Sequence, residues 1–270
     1  MAAAYSMLGT EGNSMQGAWI EDLAWPEVAA RIAAGAPVVV PVGALAKEHG
    51  HHLPMKTDWL LARALAGGVL AELPVLAAPV ITAGFYPAFI RYPGSQSLSA
   101  ETFQQVMEET LDLLIEQGAR KLAIVNTGVS TEPVITIAVR NIWQRHAVKV
   151  AVSDIRRLGL GLRGRLRQKG GGHADEQETS LILAIAPELV RLDLAKPDYG
   201  NPGPATVFAR PVEFSPDPAS GIDYTATGAT GDPSLATPEL GREILAEMVR
   251  ELVEGLRAIY PESLAGSSAR

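Results

Sequence analysis

The sequence predicts an α/β protein, with a mostly parallel sheet held between helical layers in one domain. Two observations carry that expectation. Short valine-rich apolar runs, of the kind buried on both faces of a sheet, alternate with longer stretches of helical periodicity. No internal repeat or linker divides the 270 residues, which are enough to bury a full core.

Residues 1–18 read as a loose leader, and a short helix is expected over Pro26–Ala34, ending at Gly35. The run Ala36–Val42 is the first strand and breaks at Gly43. A helix follows Asp58, weakened in its middle by Gly67 and Gly68. Val75–Ile81 is a second strand, leading into the irregular segment GFYPAFIRYPGSQSLS. The clearest helix is capped by Ser99 and carries Glu101 at its positive end. Phe103, Val106, Met107, Thr110, Leu111, Leu114 and Ile115 form its core stripe, and Gly118 suits a left-handed exit.

Lys121–Val125 is the next strand, followed by a helix that starts near Ser130 and tolerates Pro133 in its first turn. Val148–Ser153 is another strand. The basic stretch RRLGLGLRGRLRQKGGGH after it reads as a mobile surface loop, or as one ordered by an acidic substrate or a neighbouring subunit. An amphipathic helix is expected after His173, and a long irregular excursion over 196–236. The last helix starts at Thr237-Pro238-Glu239 and covers the sheet with Leu240, Ile244, Leu245, Met248, Val249, Leu252 and Leu256. The domain is placed at 19–260, with a tail over 261–270.

Composition narrows the function. A net charge of −7 argues against a general nucleic-acid surface. With no cysteine, neither disulfides nor thiolate ligands are available. No signal-peptide pattern and no membrane-length apolar run is seen, so a soluble, cytoplasmic protein is expected.

The chemistry gathers just after the first strand. Glu48, His49, His51, His52 and Asp58 follow Gly43 within fifteen residues, and three of the five histidines fall within four positions. Imidazole and carboxylate are the ligands that zinc, manganese and similar ions prefer. A buried strand that opens onto such a loop at its carboxyl end is where α/β proteins keep their sites.

Five segments in order resemble the creatininase family of metal-dependent amidohydrolases: PVGALAKEHGHHLPMKTD, YPGSQSLSAET, IVNTGVS, GGHADEQETSLILAIAPELV and GATGDPSLATPELG. The resemblance runs from about Trp19 to Tyr260. It implies a three-layer α/β/α sandwich, commonly a homohexamer, with two divalent metals that hydrolyse a carbon–nitrogen bond. Carried over, His49 matches a ligand histidine and Asp58 the aspartate bridging the metals. His173 matches the active-site histidine, Glu178 the glutamate five residues on, and Ser95 lies in the segment lining the substrate pocket. Asn126 and Ser130, in the altered third segment, are further substrate-side candidates.

Three departures stand out. Lys47 occupies the place of the family's first glutamate, with Glu48 one position later as its replacement through a shifted loop that points Lys47 away. Gly128 replaces a histidine, and Ser130 replaces an acidic ligand, with Glu132 the nearest carboxylate and His51 another candidate replacement. His52 is expected to be structural and His146 to lie at the surface. The resulting expectation is a metal-dependent amidohydrolase acting on a small amide, cyclic or open, as a homo-oligomer. It would use one or two zinc or manganese ions, with Glu48, His49 and Asp58 as ligands. His173 would move a proton, and Glu178 would orient it or hold the water. The alternative is a catalytically silent relative that binds a metabolite or acts as a scaffold.

Overall fold

The computed structural model describes residues 16–201, 207 and 213–264. Its five strands form one wholly parallel sheet in the order β1-β3-β2-β4-β5. They are β1 (Ala18–Trp19), β2 (Val38–Val42), β3 (Leu76–Ala77), β4 (Leu122–Asn126) and β5 (Val150–Asp154). β2 and β4, buried at every residue, are its centre. Alternation along β2 divides the core in two. Val38, Val40 and Val42 face α1 (Trp25–Ala33), α3 (Ala100–Glu116) and α4 (Glu132–His146), packing on Ile32, Phe103, Met107 and Ile135. Val39 faces the other way, toward α2 (Thr57–Glu72), α5 (Glu176–Ile185) and α6 (Pro238–Ile259), with Leu65, Leu181 and Met248. The three-layer α/β/α sandwich follows from that division.

The local signals explain most boundaries. Ser99 accepts from the Thr102 amide and Thr237 from the Leu240 amide, each satisfying a free N–H at a helix start. Gly118, at φ +106°, turns the chain out of α3. Along α6, Leu240, Ile244, Met248, Leu252, Val253 and Leu256 are buried, each contributing about 1.5–3 kcal/mol before entropy is counted.

Four expectations change. The strand expected over 75–81 shrinks to Leu76–Ala77, because Pro79 has no N–H to give the ladder; Ile81 rejoins by a single bridge to Val42. α5 is not amphipathic: Glu176, Thr179, Ser180, Leu181, Ile182 and Leu183 are all buried, and the helix packs on α2 and α6. The basic stretch folds into two short 3-10 turns, Ile155–Arg157 and Leu160–Arg165. At the ends, Ala18–Trp19 pairs with β3, and Pro261–Leu264 forms α7 with Leu264 buried. The rest of the leader to residue 15 and of the tail from 265 lies outside the described residues, as do 202–206 and 208–212 of the excursion. No described helix is long and apolar enough to cross a membrane.

Candidate active site

β2 and β4 end side by side, Val42 against Asn126, and the loops leaving them build the site. Gly43 makes the first turn possible. A Cβ there would collide with the Asp58 carbonyl and come within 2.8 Å of the Ala62 methyl, so only glycine lets β2 exit against the first turn of α2. That close packing brings Asp58 beneath the 44–56 loop. His49 Nε2 lies 2.9 Å from Asp58 Oδ1, and both residues are buried.

Lys47 points in, not out. Its ammonium lies 2.7 Å from Asp58 Oδ2, with 4.9 Å to the centre of the Phe89 ring and 5.6 Å to that of Tyr86. The shifted-loop expectation therefore fails for Lys47. The backbone instead turns Glu48 toward His173, whose Nε2 is 2.9 Å from Glu48 Oε2. Glu48 Oε1 accepts from the Gly50 amide, and Ser95 Oγ accepts from the Glu48 amide. Glu48 is thus a partner of His173 rather than a neighbour of Asp58.

His173 is delivered by the chain just before α5. Ala174 beside it takes a left-handed φ of +47°, and Asp175 caps the helix by accepting from the Glu178 amide. Glu178 Oε2 accepts from the Ala174 amide at 2.6 Å and lies 3.8 Å from His173 Nδ1. The His173 ring is packed against Phe89 at 4.4 Å and lies 4.9 Å from the His49 ring. Lys47, His173 and Glu178 line a cavity of about 710 Å³, together with Tyr86, Phe89 and Ser130. Arg156, Arg163 and Lys169 form its basic rim. Arg156 is paired with Asp154 and Glu132.

Burial sets the electrostatics, and neighbours decide the sign. Desolvation would raise the Asp58 carboxyl, but Lys47 and then His49 outweigh it and hold it far below the usual carboxylate range. Burial likewise opposes ionisation of Glu48, yet the hydrogen bond and charge of His173 bring it below its ordinary value. Glu178 goes the other way: burial raises it, and His173 and Lys47 only partly offset that. His52 sits behind the site with Nε2 2.8 Å from Thr179 Oγ1, and burial lowers it from 6.5 to about 4. Between those values the unfolded chain takes up a proton that folded His52 declines, so stability is lost as pH falls from about 6.5 to about 4. Thermal melts from pH 7 to 4.5 should show this limb, and His52→Gln should flatten it. An unchanged slope in the variant would assign the limb elsewhere.

The hydrogen-bond roles test whether these residues fit a metal. His49 Nδ1 lies 2.9 Å from the Lys47 carbonyl and Nε2 2.9 Å from Asp58 Oδ1; both partners are acceptors, so a neutral ring donates to one and offers its lone pair at the other. His173 donates from Nε2 to Glu48, which turns Nδ1 toward Glu178. A histidine held at its outer nitrogen by a carbonyl or carboxylate is the usual support of a metal ligand. One atom each from His49, His173 and Glu178 lie within 4.8 Å of one another. Two nitrogens and a carboxylate oxygen suit one zinc or manganese ion with a position left open.

A second ion does not fit. Lys47 already occupies the outer oxygen of Asp58. Gly128 offers no donor, and a Cβ there would come within 2.7 Å of Thr131 Oγ1 and 3.3 Å of the Tyr86 ring. Glu132 turns away to Arg156, and His51 is exposed, with Arg191 donating to its carbonyl. Asn126 is used by its own turn: it donates to the Gly128 carbonyl and accepts from the Gly128 amide and Thr131 hydroxyl. Ser95 supports Glu48, and only Ser130 of the three substrate-side candidates lines the cavity. His146 lies apart, paired with Asp112 on the far face of α4.

Sequence reading missed Tyr86, Phe89 and Phe214, the aromatic wall around His173 and Lys47. The GFYPAF segment was the available signal for the first two.

Comparison with known proteins agrees with this architecture. Creatinine amidohydrolase of Pseudomonas putida is 27% identical over 266 residues, covering 90% of this chain and 97% of its own. The mycofactocin precursor peptide peptidase of Mycobacterium tuberculosis is 30% identical over 250 residues, covering 83% and 86%. A solved manganese creatininase superposes with a TM-score of 0.77 at 27% identity, over 92% of this chain and 100% of that one. A zinc–zinc form of a creatininase variant gives 0.77 at 28%, over 93% and 100%. The creatininase family model, described as creatinine amidohydrolase, matches residues 21–256, and the chain belongs to that family.

Proposed function

We propose that the protein is a metal-dependent amidohydrolase that cleaves a carbon–nitrogen bond in a small amide, using a single divalent ion. The observation that carries the reading is the convergence of His49, His173 and Glu178 in the cavity at the carboxyl edge of the sheet. Membership of a family that includes an amidohydrolase and a peptide peptidase supports it. His49 Nε2, His173 Nδ1 and a Glu178 oxygen would hold the ion, zinc or manganese. When bound, such an ion polarises a carbonyl and lowers the pKa of water to about 7.

The chain's own groups do the rest. Glu48 and the Lys47 carbonyl fix the two imidazoles by their outer N–H groups. Glu178 Oε2 is anchored on the Ala174 amide, which leaves Oε1 to take a proton from the attacking water. Phe89 and Phe214 shield His173 from bulk water. A homo-oligomer is part of this proposal, with Trp25, Ile137 and Trp143, each at least half exposed, as apolar surface available for it.

The loss of a two-ion site favours one other reading, a silent relative that binds a metabolite. A single experiment separates them. Purified protein, dialysed against zinc or manganese, should retain one ion per chain. It should then hydrolyse at least one member of a panel of lactams, hydantoins, formamides and short amides. Metal retained without turnover would leave the binding reading, and no retained metal would sink the metal-dependent one.

A further inference from the structure

We infer that Lys47 is the fixed cation of this site: its ammonium takes the place of a second divalent ion against Asp58 and donates to the carbonyl oxygen of the bound amide. The first half stands on geometry alone, and the second rests on the amidohydrolase reading.

Asp58 is a buried carboxylate with both oxygens in close polar contact. One meets His49 at 2.9 Å and the other meets the Lys47 ammonium at 2.7 Å. Lys47 itself is only 6% exposed, an unusual position for a lysine without a partner. Its ammonium is kept there by the ion pair and by the Phe89 and Tyr86 rings. An ammonium has three donors, and the ion pair with Asp58 uses at most one of them. The side chain lines the cavity, so its remaining donors can meet a ligand there. Tyr86 lines the same wall with its ring, while its hydroxyl is buried against Gly84. A preorganised cationic donor beside the reacting carbonyl is what a developing oxyanion needs. The step requires no new bond to Lys47: the carbonyl oxygen gains charge as water adds to carbon, and the ammonium hydrogen-bonds to it throughout.

The ammonium also takes the one oxygen of Asp58 that a second divalent ion could use. Thr131 and Tyr86 crowd Gly128, and the inner carboxylate oxygen of Asp58 is shared with His49. A divalent ion placed beside the ammonium would be repelled at contact range.

The test compares the parent with Lys47→Met and Lys47→Arg, reading metal by elemental analysis and stability by melting, with zinc chloride or manganese chloride as the probe. The parent should saturate at one ion per chain. Lys47→Met strips Asp58 of its cation, so added metal should raise its melting temperature more than the parent's and bring occupancy above one. Lys47→Arg keeps the charge and should keep the single ion. Two ions in the parent, or equal metal responses in the parent and Lys47→Met, overturn the inference. Should Lys47→Met not fold, the parent and Lys47→Arg stoichiometries still decide. For the carbonyl role, Lys47→Arg should lower kcat by roughly 10²-fold at unchanged metal content, the usual cost of a misplaced oxyanion donor. Undiminished kcat in Lys47→Arg overturns that half. A parent that hydrolyses nothing while holding one ion sinks the amidohydrolase reading and leaves the cation assignment standing.

Discussion

Asp58→Ala should destabilise the fold by about 3–5 kcal/mol, the largest effect of any single change at the site. Asp58 is 2% exposed and answers Lys47 on one oxygen and His49 on the other. Truncation removes the carboxylate paired with a lysine that is itself buried, and an uncompensated buried ammonium is far costlier than a lost surface pair. The side chain also lies in the first turn of α2, where a negative charge meets the positive end of the helix. Urea unfolding should show a lower midpoint at an unchanged slope. The pH dependence has a defined sign. The folded carboxyl ionises far below its unfolded value of 3.8, so its contribution is fully present above pH 4 and is lost only as pH falls below that. The variant should therefore lose stability at neutral pH and show a shallower acid limb. A change below about 1 kcal/mol would mean that Lys47 finds water or another partner.

His173→Ala should lower kcat/KM by roughly 10³-fold, because several kcal/mol of transition-state stabilisation depend on the ion and its placement. The informative comparison is with Glu48→Gln. If Glu48 acts by holding Nε2 of His173, that change should cost about 10–100-fold in activity or metal affinity, as loss of a ligand's supporting carboxylate does. A Glu48→Gln loss equal to that of His173→Ala would restore Glu48 as a ligand in its own right. His146→Ala, on the far side of α4, should change neither quantity.

The fold was legible because its signals are local. The valines of β2 announce a strand buried on both faces, and the period of Phe103, Met107 and Leu111 announces α3 without any knowledge of partners. Pro79 shortens β3 through the same local chemistry, though the apolar run around it hides the fact. The site was legible only as a neighbourhood. Asp58 and His49 lie nine residues apart and meet because Gly43 lets α2 close on β2. Glu48 meets a histidine 125 residues away, and no local pattern specifies that distance. Lys47 was misread for the same reason. Whether its side chain points in or out depends on how one loop residue is accommodated, and the deciding groups are Asp58, Phe89 and Tyr86.

The lysine beside Asp58 has a consequence for substrate choice. A cation built into the polypeptide has no dissociation equilibrium, so neither dilution nor a chelator removes it. Yet an ammonium cannot accept a lone pair as a metal does; it offers only charge and hydrogen bonds. On the single-ion proposal, a site with one Lewis acid, where two would share the carbonyl and the nucleophile, asks more of the molecule it cleaves. The amides such a site would be matched to have carbonyls already made electrophilic, by ring strain or by an electron-withdrawing substituent on nitrogen; resonance-stabilised open-chain amides would be the poorer substrates.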